Sequence, residues 1–153
     1  MDNRKNKKIL LVASAGGHWV QLNRLRSAVE GQHLIYVATN SELAQQNKND
    51  SFFTVPDASR WDKMRIFLLA LRTLWIIIRI RPDIVISTGA LPGFFAVFFG
   101  KKLGARTVWI DSIANSNNLS LSGRKVGKYA DLWLTQWEHL ARPEGPHYHG
   151  TVI

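Results

Sequence analysis

No cysteine occurs anywhere in the chain. That absence removes disulfide staples, thiolate metal sites and a cysteine nucleophile together, and it suits a reducing compartment, so a cytoplasmic location is expected. Also missing is an uninterrupted apolar run of the ~20 residues that a membrane-crossing helix needs. The longest apolar stretch, residues 66–78, is broken at its centre by Arg72. The polar, basic start (residues 1–8) leads into an apolar run that stops at Ala13, too short for the apolar region of a secretory signal. Paired H-x-x-x-H and H-E-x-x-H motifs are absent, and His139, His147 and His149 sit in a tail interrupted by Pro and Gly. No metal and no cofactor is expected. Acidic residues are scarce, 11 against 20 Lys plus Arg, for a net charge of +9. Such a balance implies an anionic partner: nucleic acid, a phosphate-bearing substrate or an acidic membrane surface. The basic residues are scattered and no nucleic-acid-binding motif accompanies them, so nucleic acid is not the expected partner.

What the chain does have is size and apolar content for a real core: 153 residues, 46% hydrophobic and 20% charged, which predicts one globular domain over 1–153. Residues 7–13 form a short continuous apolar run stopped by glycines, the pattern of a strand buried on both faces. Residues 19–30 carry Val20, Leu22, Leu25, Ala28 and Val29 at helical spacing, with Gly31 as a stop. Further strands are predicted at 33–39, 52–55, 83–88, 106–110, 132–136 and 150–153, and helices at 63–81, 94–102 and 122–130. The polar segment 40–50 reads as a loop with a helical turn. Strands alternating with helices predict a Rossmann-like α/β domain, a parallel sheet with helices on both faces and ligands outside the carboxyl ends of its strands.

Three turns fall at that edge. In Ser14-Ala15-Gly16-Gly17-His18 the glycines let the backbone approach a ligand, and the following helix aims free N–H groups at any phosphate placed there. A plain tight turn is the alternative. The G-x-G-x-x-G fingerprint is absent and no acid closes the second strand, which disfavours a nicotinamide cofactor. His18 at the mouth of this turn is a candidate base or diphosphate ligand, or else a helix-cap residue. The second turn, Thr88-Gly89-Ala90-Leu91-Pro92-Gly93, places Pro92 near a helix start and is expected to line the cleft through Thr88, Gly89, Pro92 and Gly93. The third begins at Asp111, a candidate base or sugar-hydroxyl acceptor whose other reading is an Asx-type cap, and runs through Asn115.

Arg65, Arg72 and Arg79 are seven residues apart and so share one helical stripe, while apolar residues fill the rest of 63–81 almost all round. Two readings stand side by side. In one the helix lies in a membrane interface with the arginines on lipid phosphates and Trp75 at headgroup depth. In the other it is a core helix with a solvated arginine stripe.

Taken together, Ser14 to Leu22, Ser87-Thr88-Gly89 with Pro92-Gly93, Leu119 to Arg124 and Ala130 to Trp137 resemble one family in the right order over nearly the whole chain. It is the membrane-anchoring subunit of the split UDP-N-acetylglucosamine transferase of asparagine-linked glycosylation, with its bacterial relatives in capsule and exopolysaccharide synthesis. The resemblance implies the N-terminal lobe of a GT-B glycosyltransferase divided between two chains. This lobe would hold a polyprenyl-diphosphate-linked glycan acceptor at the cytoplasmic face of the inner membrane, and a partner subunit would bind most of the UDP-sugar donor. It implies His18 and Asp111 as catalytic, Ser14, Gly16, Gly17, Thr88, Gly89, Pro92, Gly93 and Asn115 as substrate-binding, and Arg65, Arg72, Trp75 and Arg79 as the membrane contact. Two departures stand out. The family usually has glutamate followed by Ser-Phe-Ala-Arg where this chain reads Asp111-Ser112-Ile113-Ala114-Asn115, and a proline where it has Glu138.

Overall fold

The apolar runs become strands of one sheet in a computed structural model that describes residues 6–152. They are β1 (Lys8–Val12), β2 (His33–Ala38), β3 (Ser51–Thr54), β4 (Ile84–Ser87), β5 (Arg106–Ile110), β6 (Leu132–Thr135) and β7 (His147–Tyr148). Their order is β3-β2-β1-β4-β5-β6-β7, and every neighbouring pair is parallel. The central strands are apolar on consecutive residues because both faces are covered. Alternate side chains of β1 divide accordingly: Leu10 and Val12 join one core with Leu69, Ile76, Val97 and Trp109, and Ile9 and Leu11 join the other with Trp19, Leu22 and Tyr36.

The helices are α1 (Gly17–Arg24), α2 (Lys63–Ile80), α3 (Ala90–Lys102) and α4 (Leu121–Val126). In α2, Leu69, Thr73, Ile76 and Ile77 are buried, and the chain leaves it through Arg81, left-handed at φ 50°, whose N–H bonds to Ile77 O at 2.8 Å ahead of Pro82. Helix α3 is notched on its sheet side. A Cβ at Gly93 would stand 1.9 Å from Ser87 Oγ and one at Gly100 would stand 2.8 Å from Val85 Cγ2. The bare backbone therefore rests directly on β4, and Phe94, Phe95, Phe98 and Phe99 fill the space around it, stacked or edge-on to one another.

Several boundaries differ from the sequence expectation. The helix expected over 19–30 is α-helical only to Arg24 and winds more tightly, as 3-10 helix, over Leu25–Val29. There Arg26 reaches across to Asn47 and Asp50, both at 2.6 Å, and the hydrogen bond with Asp50 raises the guanidinium pKa further. Segment 40–50 holds a 3-10 stretch, Ser41–Asn47, capped by the Asn40 side chain. Helix α3 starts four residues earlier than expected, because a proline inside the first turn loses no intrahelical bond. Helix α4 stops at Val126, where Gly127 packs on the Trp133 ring. Nearby, the Lys101 ammonium hydrogen-bonds the Asp131 carboxylate and holds its pKa below the usual range. No strand forms over 150–152. There Val152 N donates to the Gln136 side-chain oxygen at 2.7 Å instead of to a ladder, and the last strand is His147–Tyr148. Ile153, the end of that expected strand, lies outside the described residues, as do residues 1–5.

Candidate functional site

Strand order reverses between β1 and β4, the place where an open α/β sheet leaves a crevice beyond its carboxyl ends. Both crossing connections there turn through glycine. Gly16 (φ 81°) precedes α1 and Gly89 (φ 137°) precedes α3, and neither helix has a side-chain cap. Two helix N-termini, each with unbonded N–H groups and a positive dipole end, thus face one edge side by side. Gly16 and Gly17 have open space where a Cβ would stand, and Ser14 lies beside them, half-exposed.

The two turns are clasped together. Thr88 Oγ1 donates to His18 O at 2.6 Å, and His18 Nδ1 lies 3.0 Å from Thr88 O. A carbonyl only accepts, so Nδ1 carries the proton, and in the neutral ring Nε2 is left as an acceptor. Among the described residues Nε2 has no hydrogen-bond partner. The ring rests on Gly89, where a Cβ would stand 2.5 Å from Nδ1. Gly89→Ala is accordingly expected to displace the imidazole and to cost about 1–3 kcal/mol in backbone strain alone. A urea-unfolding midpoint would record the loss, and the ring-proton shifts of His18 would record the displacement.

Asp111, expected as a base or sugar-hydroxyl acceptor or else as a loop cap, is enclosed. It is 1% exposed and its carboxylate accepts from Trp109 Nε1 (3.1 Å), Asn115 Nδ2 (3.1 Å), Ser120 N (3.0 Å) and Ser120 Oγ (2.6 Å). Those bonds fold the segment 111–120 around it. Asn115, expected to bind substrate, spends its amide on this carboxylate. Pro92 and Gly93 differ from expectation too. Both are buried inside α3, Gly93 against Ser87 and Trp109, so of the second turn only Thr88 and Gly89 meet His18.

A buried polar network that sequence reasoning did not single out connects these parts. Gln21 Nε2 donates to Ser112 Oγ at 3.1 Å, while its Oε1 accepts from Ile113 N at 3.1 Å and Gln136 Nε2 at 2.6 Å. Gln136 also donates to Asp111 O at 2.9 Å. The helix that carries His18 is thereby registered against the Asp111 loop. The available signal was two glutamines set among apolar neighbours, Val20-Gln21-Leu22 and Leu134-Thr135-Gln136-Trp137.

On α2 the outward side chains Met64, Phe67, Leu68, Leu71, Trp75 and Ile78 are all exposed. Arg72 and Arg79 lie 4.8 and 6.0 Å from the Trp75 ring centroid, and Arg65 pairs with Asp62 at the start of the helix. Arg65, Arg72, Trp75 and Arg79 therefore do share one outer surface. No helix among the described residues is long and apolar enough to cross a membrane.

Comparison with known proteins bears on the fold and the family. Mouse (Mus musculus) UDP-N-acetylglucosamine transferase subunit ALG14 is 23% identical over 90% of this chain and 78% of its own length. The Schizosaccharomyces pombe UDP-N-acetylglucosamine transferase subunit alg14 is 34% identical over 39% of this chain, a match spanning only 31% of that protein. Among solved structures, Acinetobacter baumannii MurG superposes with a TM-score of 0.76 and 12% identity, over 95% of this chain and 45% of that one. At that identity the likeness concerns the fold, which is that of one lobe of a GT-B glycosyltransferase. The family model for oligosaccharide biosynthesis proteins of the Alg14-like type matches residues 58–152, more than half of the sequence. The chain belongs to the Alg14-like family.

Proposed function

We propose that this chain is the acceptor-binding subunit of a two-chain glycosyltransferase that moves a sugar from a UDP-sugar to a polyprenyl-diphosphate-linked glycan in bacterial capsule or exopolysaccharide synthesis. The observation that carries the reading is the β1/β4 edge, where two uncapped helix N-termini and an unpartnered His18 Nε2 meet in a chain of the Alg14-like family. Paired dipole ends and open backbone at Gly16 and Gly17 suit a diphosphate, and Nε2 is suited to accept the proton of an acceptor hydroxyl. Asp111 orients the 112–120 loop beside that hydroxyl. The curated relatives are named as transferase subunits, which supports a donor-binding partner across the cleft. The outer face of α2, apolar with arginines and Trp75 in its surface, supports peripheral binding to an anionic membrane at the cytoplasmic face.

A second reading makes the chain a membrane scaffold that activates a partner holding every catalytic group. The enclosure of the Asp111 carboxylate favours it, since it withdraws one of the two candidate catalytic side chains from the cleft.

One experiment separates them. The donor-binding partner is assayed in detergent with a UDP-sugar and a polyprenyl-diphosphate acceptor, alone and with this chain. Turnover only when both are present, lost with His18→Ala, is the expected result. A fully active partner alone would overturn the subunit reading, and turnover indifferent to His18 would leave the scaffold.

A further inference from the structure

A second concavity lies at the opposite edge of the sheet, below the amino ends of β1, β4 and β5. It has a volume of about 780 Å³, within the range of pockets that enclose small ligands. It opens where the C-terminal ends of α2 and α3 part company. Ile77, Ile84 and Ala105 make an apolar floor, and Ile78 and Leu103 flank it, 53% and 56% exposed.

Its lining charges are three basic and one acidic. Lys7, Arg81 and Arg106 line it, and among the described residues none of them is in an ion pair. The one acid of the lining, Asp83, accepts from Lys8 N at 2.8 Å. The negative C-terminal end of α2 is covered as well, since Lys8 Nζ donates to Ile80 O at 3.1 Å. An apolar floor beneath three cations and one acid, a net positive rim, matches a molecule with a hydrocarbon part and an anionic head.

The concavity also continues a surface already described. The exposed side chains Met64, Leu68, Leu71, Trp75 and Ile78 follow one another at intervals of four and three residues, a single stripe down the outside of α2. Its last member, Ile78, belongs to the concavity. The stripe therefore runs from the start of the helix to the mouth of the crevice, with Arg72 and Arg79 beside it at Trp75.

We infer that this crevice seats one anionic phospholipid, an acyl chain on the floor of Ile77, Ile84 and Ala105 and the phosphate among Lys7, Arg81 and Arg106. The inference rests on the membrane reading of α2 and adds a discrete, saturable lipid site to a diffuse contact. Lipid would thus be held on the far side of the sheet from the β1/β4 edge, and the cleft would stay open for the acceptor and the partner lobe.

The test uses the whole chain and monomeric short-chain lipids, so that no membrane is required. Titration with dihexanoyl phosphatidylglycerol, followed by calorimetry and native mass spectrometry, is expected to saturate at one molecule per chain. Dihexanoyl phosphatidylcholine is expected to bind at least tenfold more weakly, and glycerol phosphate not at all. Arg81→Gly with Arg106→Gln removes two of the cations and is expected to weaken phosphatidylglycerol binding at least tenfold. Glycine suits the left-handed backbone at position 81, and both arginines are exposed, so circular dichroism should show the variant folded. Leu71→Glu is expected to leave this titration within twofold while abolishing flotation with vesicles containing phosphatidylglycerol. Absence of saturable binding by the native chain, equal binding of glycerol phosphate, or indifference to the double variant would overturn the lipid site. Flotation unaffected by Leu71→Glu, with the titration as expected, would instead overturn the stripe as the membrane contact and leave the site standing.

Discussion

Asp111→Ala is expected to lower unfolding stability by about 3 kcal/mol, because it strands the buried Trp109 N–H, at about 1–3 kcal/mol for an unpaired buried donor, and deprives three half-buried donors of their acceptor. The carboxylate it removes takes hydrogen bonds from Trp109, Asn115 and both the backbone and the hydroxyl of Ser120. Trp109 is fully buried, Asn115 and Ser120 are half-buried, and the acceptor they share is only 1% exposed. Asp111→Asn keeps the shape but offers one oxygen to donors on two sides, and a loss of about 2 kcal/mol is expected. Against a total of about 5–15 kcal/mol for an ordinary domain, either loss is a large fraction. Urea unfolding measures it, and hydrogen exchange locates it: protection should fall first at Ile113, Asn115 and Ser120. If both variants keep wild-type midpoints and lose only turnover, Asp111 is a chemical group after all and the loop does not depend on it.

The second large effect falls on His18. In the reconstituted two-chain enzyme, His18→Ala is expected to reduce turnover about 10²–10⁴-fold, the range for loss of a positioned acid or base. Folding should change little, since the ring is only half-buried. His18→Asn makes the test sharper. An asparagine amide can still donate to Thr88 O in place of Nδ1, so the clasp between the two turns survives while the Nε2 position is empty. Equal loss in both variants assigns the effect to Nε2. Recovery of activity in His18→Asn would assign it to the clasp and reduce His18 to a positioning residue.

The sheet was legible because buried parallel strands announce themselves as short apolar runs. The runs 7–13, 33–39 and 83–88 each contain their strand. The described part of the expected strand at 150–153, residues 150–152, is not a strand for a reason invisible locally: Val152 N is claimed by a glutamine side chain sixteen residues earlier. The glycine turns at 14–18 and 88–93 were legible as turns at the carboxyl ends of strands, and the contact of His18 with Thr88 and Gly89 was not. Asp111 was placed at the correct end of its strand, but its surroundings could not be read. The groups that enclose it come from Trp109 and from Ser120, nine residues on, and Gly123 leaves the space in which it sits. The Gln21 and Gln136 network spans 115 residues of sequence, and no periodicity reports a contact of that range. Helix α2, apolar almost all round, offered two readings. Its inner residues are buried and its outer ones exposed, so a core face and an outward apolar face coexist on one helix.

The two missing side chains on the sheet side of α3, at Gly93 and Gly100, also limit how this protein can change over generations. Every phenylalanine nearby has alternatives of similar bulk, and a swap at one is open to repair by a swap at its neighbour. A position that holds nothing has no such partner: the smallest addition strikes Ser87 or Val85 on a central strand. Divergence among descendants of this sequence is therefore free to repaint the aromatic surround, whereas the pair of hollows, one helical heptad apart, must be inherited together.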